Sequence, residues 1–149
     1  LAAMAMDYGH VYVARIAFGA KDTQTVKALI DAESYPGPSL IIAYSHCIAH
    51  GYDLVHGPRQ QKLAVESGVW NLFRYDPQRT DRGDPPLQLD SGPPKGNLLE
   101  YARNEARYSM VERANPTRFA KLMKEAEQDA KRRLVLYGEL ARFSLPTEK

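Results

Sequence analysis

The apolar positions in the first third of the chain fall mostly into runs, with one helical stripe between them. Val11, Tyr12, Val13, Ala14, Ile16, Ala17 and Phe18 are nearly continuous and rich in strand formers. That is the pattern of a strand buried on both faces. Ser39-Leu40-Ile41-Ile42-Ala43-Tyr44 repeats it. Between the two, Val26, Leu29 and Ile30 recur at helical spacing and predict an apolar helix face. Asp22 or Thr23 can cap this helix, which runs to about Ser34 and is stopped by Tyr35-Pro36-Gly37-Pro38. Two buried strands around a helix make a βαβ unit. Upstream, Leu1 to Asp7 reads as the last turns of a helix, with Tyr8-Gly9 as its stop.

The second half is less apolar. A helix is expected over about Pro58 to Ser67, with proline in its first turn, and a third strand over Trp70 to Tyr75. Asp76 to Pro94 is polar, holds five prolines and is expected to be a long loop. Asn97 to about Arg107 is a further helix. Asn115-Pro116 opens the last one, which reaches about Phe143. Phe119, Leu122, Met123, Ala126, Ala130, Leu134, Tyr137, Leu140 and Ala141 form its apolar stripe, expected to face the core. Residues 144 to 149 read as a frayed tail. The organisation expected is one α/β unit: residues 1–77 around the strands, a loop over 78–94 and closing helices over 95–149. Its strands are few and mostly parallel. The first two are apolar on both faces with few elements to cover them, which points to a missing part, and the absence of Met at position 1 gives the same hint.

Charge and length narrow the function classes. The 149 residues carry 20 basic and 18 acidic side chains, a net charge of +2. So balanced a chain lacks the concentrated basic face that nucleic-acid binding needs. No apolar run approaches the ~18–20 residues required to span a bilayer. The first residues also lack the pattern of a signal peptide. The single cysteine, Cys47, excludes an intramolecular disulfide framework and makes a reducing, cytoplasmic compartment the default.

Cys47 is the one residue placed to carry chemistry. It follows the second strand directly, in Tyr44-Ser45-His46-Cys47-Ile48-Ala49-His50-Gly51, and ligands of open α/β sheets gather at the carboxyl ends of strands. Four readings of the residues compete. Cys47 could be a buried structural thiol, as free cysteines often are. It could bind zinc with His46, His50 or His56, although a structural zinc site wants four ligands. It could be a nucleophile activated by histidine. Or it could ligate iron in a cluster whose other cysteines lie elsewhere. No phosphate-binding glycine loop is present. Lys131-Arg132-Arg133 reads as a solvated face.

The wording of the sequence goes further than its periodicity. Gly9-His10-Val11-Tyr12-Val13-Ala14, then Glu33-Ser34-Tyr35-Pro36-Gly37-Pro38 running into Ser39 to Ser45, then His46-Cys47-Ile48-Ala49-His50-Gly51 occur in order. Ala64-Val65-Glu66-Ser67-Gly68, Leu72-Phe73-Arg74-Tyr75-Asp76-Pro77 and Leu87-Gln88-Leu89-Asp90-Ser91 follow. Over nearly its whole length the chain resembles the pyruvate:ferredoxin (flavodoxin) oxidoreductases, and is closest in wording to their flavodoxin-reducing branch. Val69 departs from the pattern, standing where an aromatic residue is expected before Trp70.

The resemblance implies the C-terminal half of a thiamine-diphosphate-binding α/β domain, a partial fold followed by closing helices. It implies that Cys47 is the fourth ligand of the 4Fe–4S cluster nearest the thiamine, with three ligands outside this chain. His46 and His50 would then either tune that cluster or simply line a surface loop. The parent reaction implied is oxidative decarboxylation of pyruvate to acetyl-coenzyme A, with electrons passed through iron–sulfur clusters to ferredoxin or flavodoxin. Thiamine diphosphate, magnesium and coenzyme A would be bound by residues outside this chain, in a parent expected to be a homodimer. The piece alone is expected to bind no cofactor and to be inactive without the rest of its polypeptide. The alternative is a free-standing interaction or assembly module derived from the same family without redox activity. A small zinc protein built on Cys47 and nearby histidines is a third reading.

Overall fold

A computed structural model describes residues 1–144. In chain order the elements are α1 (Ala2–Asp7), β1 (Tyr12–Ile16), α2 (Asp22–Ser34), β2 (Ser39–Ala43), α3 (Gly57–Glu66), β3 (Phe73–Tyr75), β4 (Leu87–Leu89), α4 (Leu98–Arg103), α5 (Ala106–Ala114) and α6 (Pro116–Leu140). The strands form one sheet in the order β2-β1-β3-β4. β1 pairs parallel with β2, Tyr12 opposite Ser39 and Ile16 opposite Ala43, as a helical crossover between them requires. β3 pairs antiparallel with β1, and β4 antiparallel with β3. The expected α/β arrangement of few strands and closing helices is therefore present. Its sheet is mixed, because the short connections after α3 return the chain antiparallel.

β1 is the centre of the molecule, and its alternation builds two cores. Val13 points to one face with Phe73, Leu87 and Ala5, where Tyr137 of α6, Ala141 just after it and Met6 of α1 close over them. Tyr12, Ala14 and Ile16 point to the other face, onto Ala28 of α2. A third cluster joins α3 to α4 through Leu63, Ala64, Leu98 and Tyr101, with Met123 and Ala126 of α6 against it. Both faces of β1 are thus covered within the chain itself.

Several expectations are corrected. Val26 and Ile30 are each 56% exposed; α2 buries Gln24 and Ala28 instead, because the helix rests on the sheet through its small and polar side. Gln24 Nε2 donates to the Arg15 carbonyl and to Asp90, which partners the amide nitrogen, while Oε1 is buried without a hydrogen bond. The N-cap of α2 is Lys21, with no capping side chain. β2 is the sheet edge and only half-buried, not enclosed on both faces. The expected loop after Asp76 carries a 3-10 helix over Pro77–Arg82 and then β4. β4 is Leu87-Gln88-Leu89, which pairs with β3 just beyond Pro85-Pro86.

The helix expected over 97–107 is two helices, α4 and α5, broken at Asn104-Glu105. Asn115 caps α6 as expected, accepting from Arg118 N at 2.9 Å, and Asn97 is found to cap α4, accepting from Leu99 N at 2.8 Å. The α6 stripe is buried only at Phe119 and Ala130, while Leu122 and Leu140 are exposed. The tail expected over 144–149 lies, apart from Ser144, outside the described residues. No helix of the described chain is long and apolar enough to cross a membrane.

Candidate functional site

At the end of β2, Tyr44 N still donates to the Ile16 carbonyl at 2.9 Å, so the chain leaves the sheet as a continuation of the parallel pair. Cys47 follows in extended backbone and opens a 3-10 turn over Ile48–His50. Within it His50 N donates to the Cys47 carbonyl at 2.9 Å and Gly51 N to the Ile48 carbonyl at 3.0 Å. The turn ends on Gly51, whose φ of +73° favours glycine. A second 3-10 turn, Leu54–His56, leads into α3 and is opened by Asp53, which accepts from Val55 N at 3.0 Å.

The Cys47 thiol is exposed, which overturns its reading as a buried structural thiol. The histidines on either side are held by different helices. His46 Nδ1 lies 3.1 Å from Gln61 Nε2 of α3, and its ring packs so closely on Gly57 that a Cβ there would sit 2.7 Å from ring carbons. Gln61 is itself buried, and its Oε1 accepts from Gly19 N at 2.9 Å, which ties the turn back to the end of β1. His50 stacks on Tyr52 and points its Nδ1 at Glu105, 3.9 Å from Oε1. His56 is exposed and lines a small cavity with Tyr52, Gln60 and Asn104.

Beneath the turn lies a buried polar network. Glu105 is wholly buried, and its carboxylate accepts from Gln60 Nε2 at 2.9 Å, from Tyr44 Oη at 3.4 Å and from Arg107 Nε. Tyr44 and Tyr101 share a hydroxyl contact of 3.0 Å. Asn104 Nδ2 donates to Gln60 Oε1, and Gln60 Nε2 also donates to the Tyr101 carbonyl. Burial pushes the Tyr44 hydroxyl up to about 12, the bond from Tyr101 opposing the rise and the Glu105 charge adding to it. Burial raises Tyr101 further, so both phenols stay protonated at neutral pH and serve as donors. Arg15 is seated beside this region, its guanidinium 3.9 Å above the Trp70 ring, while Trp70 Nε1 donates to the Ile16 carbonyl.

No protein-family model matches the chain. Individual proteins do. It is 52% identical over 141 residues to the pyruvate-flavodoxin oxidoreductase of Rhodospirillum rubrum, and that stretch is 95% of this chain. It is 46% identical over 141 residues to the pyruvate:ferredoxin oxidoreductase of Moorella thermoacetica. It is 46% identical over 144 residues, 97% of this chain, to the probable pyruvate-flavodoxin oxidoreductase of Escherichia coli. The chain matches one segment of these pyruvate oxidoreductases. It spans 12% of the length of the curated relatives it matches, so the resemblance read from the motifs covers nearly all of this chain and a small part of theirs.

Among the described residues no group of three or more His, Cys, Asp or Glu side chains converges as a metal site would require. The zinc reading therefore finds no assembled ligand set there. Cys47 offers a single soft, accessible donor on a turn held from two sides. Such a residue fits as one ligand of a centre that other segments complete.

The motifs located Cys47, His46 and His50 but not Gln60, Gln61 or Glu105. The signal for Glu105 was present: Leu98, Tyr101, Ala102 and Glu105 lie at helical spacing on the side that is buried. A charged residue in register with a buried stripe marks a paired internal carboxylate, not a solvated one.

Proposed function

We propose that this chain is the C-terminal part of the thiamine-diphosphate-binding domain of a pyruvate:ferredoxin or pyruvate-flavodoxin oxidoreductase, and that Cys47 supplies the fourth ligand of its proximal 4Fe–4S cluster. The observation that carries the reading is the placement of Cys47: an exposed thiol at the carboxyl end of β2, on a turn whose neighbouring side chains are fixed. Identity of 43–52% to enzymes named for pyruvate and flavodoxin or ferredoxin supports it.

When bound, such a cluster accepts and passes on single electrons. The residues of this chain do something narrower. Cys47 would hold iron as a thiolate, a soft anionic donor. The turn over Ile48–His50 fixes where that sulfur stands, and the Tyr44–Glu105–Gln60 network keeps the ground beneath it polar and filled. Thiamine diphosphate, magnesium, pyruvate and coenzyme A would be held by the rest of a cytoplasmic, homodimeric parent, with ferredoxin or flavodoxin as the electron carrier. The isolated chain would then be inactive.

The test uses the full-length protein that carries this chain. Cys47→Ala is expected to lose the iron of one cluster and most pyruvate-dependent reduction of the carrier, with the chain still folded. A Cys47→Ala protein with its full iron content and full activity would sink the ligand assignment. A full-length protein that holds no iron at all would favour the interaction-module alternative.

A further inference from the structure

We propose that Glu105 is a positioning residue: with Ala106, it clamps the Cys47 turn onto the closing helices. The inference rests on the reading of Cys47 as a cluster ligand only for its consequence; the clamp itself is a matter of geometry.

Three contacts connect this one point of the helical half to the turn, and they bracket Cys47. Before it, Tyr44 Oη donates to Glu105 Oε1 at 3.4 Å. After it, the His50 ring packs with Nδ1 3.9 Å from the same oxygen, a close approach and not a hydrogen bond. One residue later, Gly51 lies so close to α5 that a Cβ built on it would stand 2.4 Å from the Cβ of Ala106. Backbone and side chain of the turn are therefore both seated on residues 105 and 106.

The conformation of Glu105 points the same way. It occupies the N-cap of α5, where a capping side chain would bond the exposed N–H groups of the first turn. Glu105 makes no such bond. Its carboxylate turns inward and is wholly buried, an arrangement that is costly unless every oxygen is partnered. Gln60 and Arg107 supply partners from α3 and α5. The same carboxylate thereby joins α3, α5 and the turn.

A role confined to holding helices together would lower global stability without singling out the turn. A clamp on the turn predicts a local effect. In iron-free full-length protein, Glu105→Gln should speed amide hydrogen exchange across residues 45–51 by about tenfold, the equivalent of ~1.4 kcal/mol of local opening, with β1 unchanged. In iron-loaded protein it should alter the electron paramagnetic resonance signature of the cluster that Cys47 holds. The exposed control Glu125→Gln should do neither. Tyr44→Phe keeps the ring against Trp70 and leaves Glu105 its bonds from Gln60 and Arg107, so it must loosen the same segment. If Glu105→Gln does not fold, Tyr44→Phe decides alone. Exchange over 45–51 that is unchanged, or that rises only in step with β1, would overturn the clamp. A loosened turn in Glu105→Gln, together with full iron in Cys47→Ala, would uphold the clamp and remove the ligand reading.

Discussion

Arg74 grips Asp90 with two parallel bonds, Nε to Oδ2 and Nη2 to Oδ1, both 2.9 Å long. Its third arm, Nη1, reaches Asp31 of α2 at 2.9 Å. The arginine stands on β3 directly opposite Ala14 of β1, whose small side chain leaves it room to pass beneath α2. One guanidinium thus joins β3, the segment after β4 and α2, and removing it strands two carboxylates in a mostly buried place. Arg74→Met should destabilise the chain by about 3 kcal/mol, the lower end of the range for breaking a buried ion pair, because Asp31 keeps some access to water. Pairing it with Asp90→Leu should recover part of the loss. Urea unfolding with an unchanged slope checks both.

The same cluster sets a pH dependence. Burial alone would raise the Asp31 carboxyl, but the bonds from Arg74 and Lys27 outweigh it and hold the group below its ordinary value. The folded state then takes up that proton less readily than the unfolded chain. The stability it contributes is complete above the unfolded pKa of about 4 and drains as pH falls through the lower folded value. Between roughly pH 5 and 3 the urea midpoint should fall in the parent chain and fall less in Asp31→Asn. An identical acid limb in the two would show that Asp31 is not held low.

Two glycines separate backbone strain from crowding. Gly9 and Gly51 have nearly equal φ, +74° and +73°. A Cβ at Gly9 would meet nothing within 4 Å, whereas one at Gly51 would strike Ala106. Gly9→Ala should cost about 1–2 kcal/mol from the left-handed conformation alone. Gly51→Ala should cost more and should be partly relieved by Ala106→Gly. Thermal melts of the three variants give the comparison; equal costs at the two glycines would mean that the turn yields freely.

What was legible in the sequence follows from how local each determinant is. Strand β1, helix α2, helix α3 and the asparagine cap of α6 were readable because run length, proline and capping side chains act within a few residues. The place of Cys47, on a turn just past β2, was readable because it follows a local apolar run. Strand β4 was hidden because its three residues owe their conformation to pairing with Phe73, Arg74 and Tyr75, not to their own pattern. The burial of Gln24 in place of Val26 and Ile30 was likewise unreadable: partners for its amide come from Arg15 and Asp90, distant in sequence. Glu105 combines both cases, with a spacing that is local and a set of partners that is not.

Helix α6 offers the sharpest check on the packing. Its stripe is continuous in sequence, yet the depth of burial varies along it, and only Phe119 and Ala130 are fully buried. Met123 and Ala126 rest on the α3–α4 cluster, and Tyr137 and Ala141 rest on the sheet, where Tyr137 stacks on Phe73 with ring centroids 4.9 Å apart. Leu134 lies between these footings and is only half-buried, whereas Phe119 is buried near the helix start. Phe119→Ala should therefore cost about 3–5 kcal/mol, as a buried aromatic does. Leu134→Ala should cost about 1–2 kcal/mol, short of what a fully enclosed leucine loses. Val135→Ser, on the exposed side, should stay within about 0.5 kcal/mol of the parent. Urea unfolding of the three variants reads the order directly. A Leu134→Ala loss equal to that of Phe119→Ala would mean that Leu134 is enclosed as fully as Phe119 and that α6 presents a continuous seam to the core.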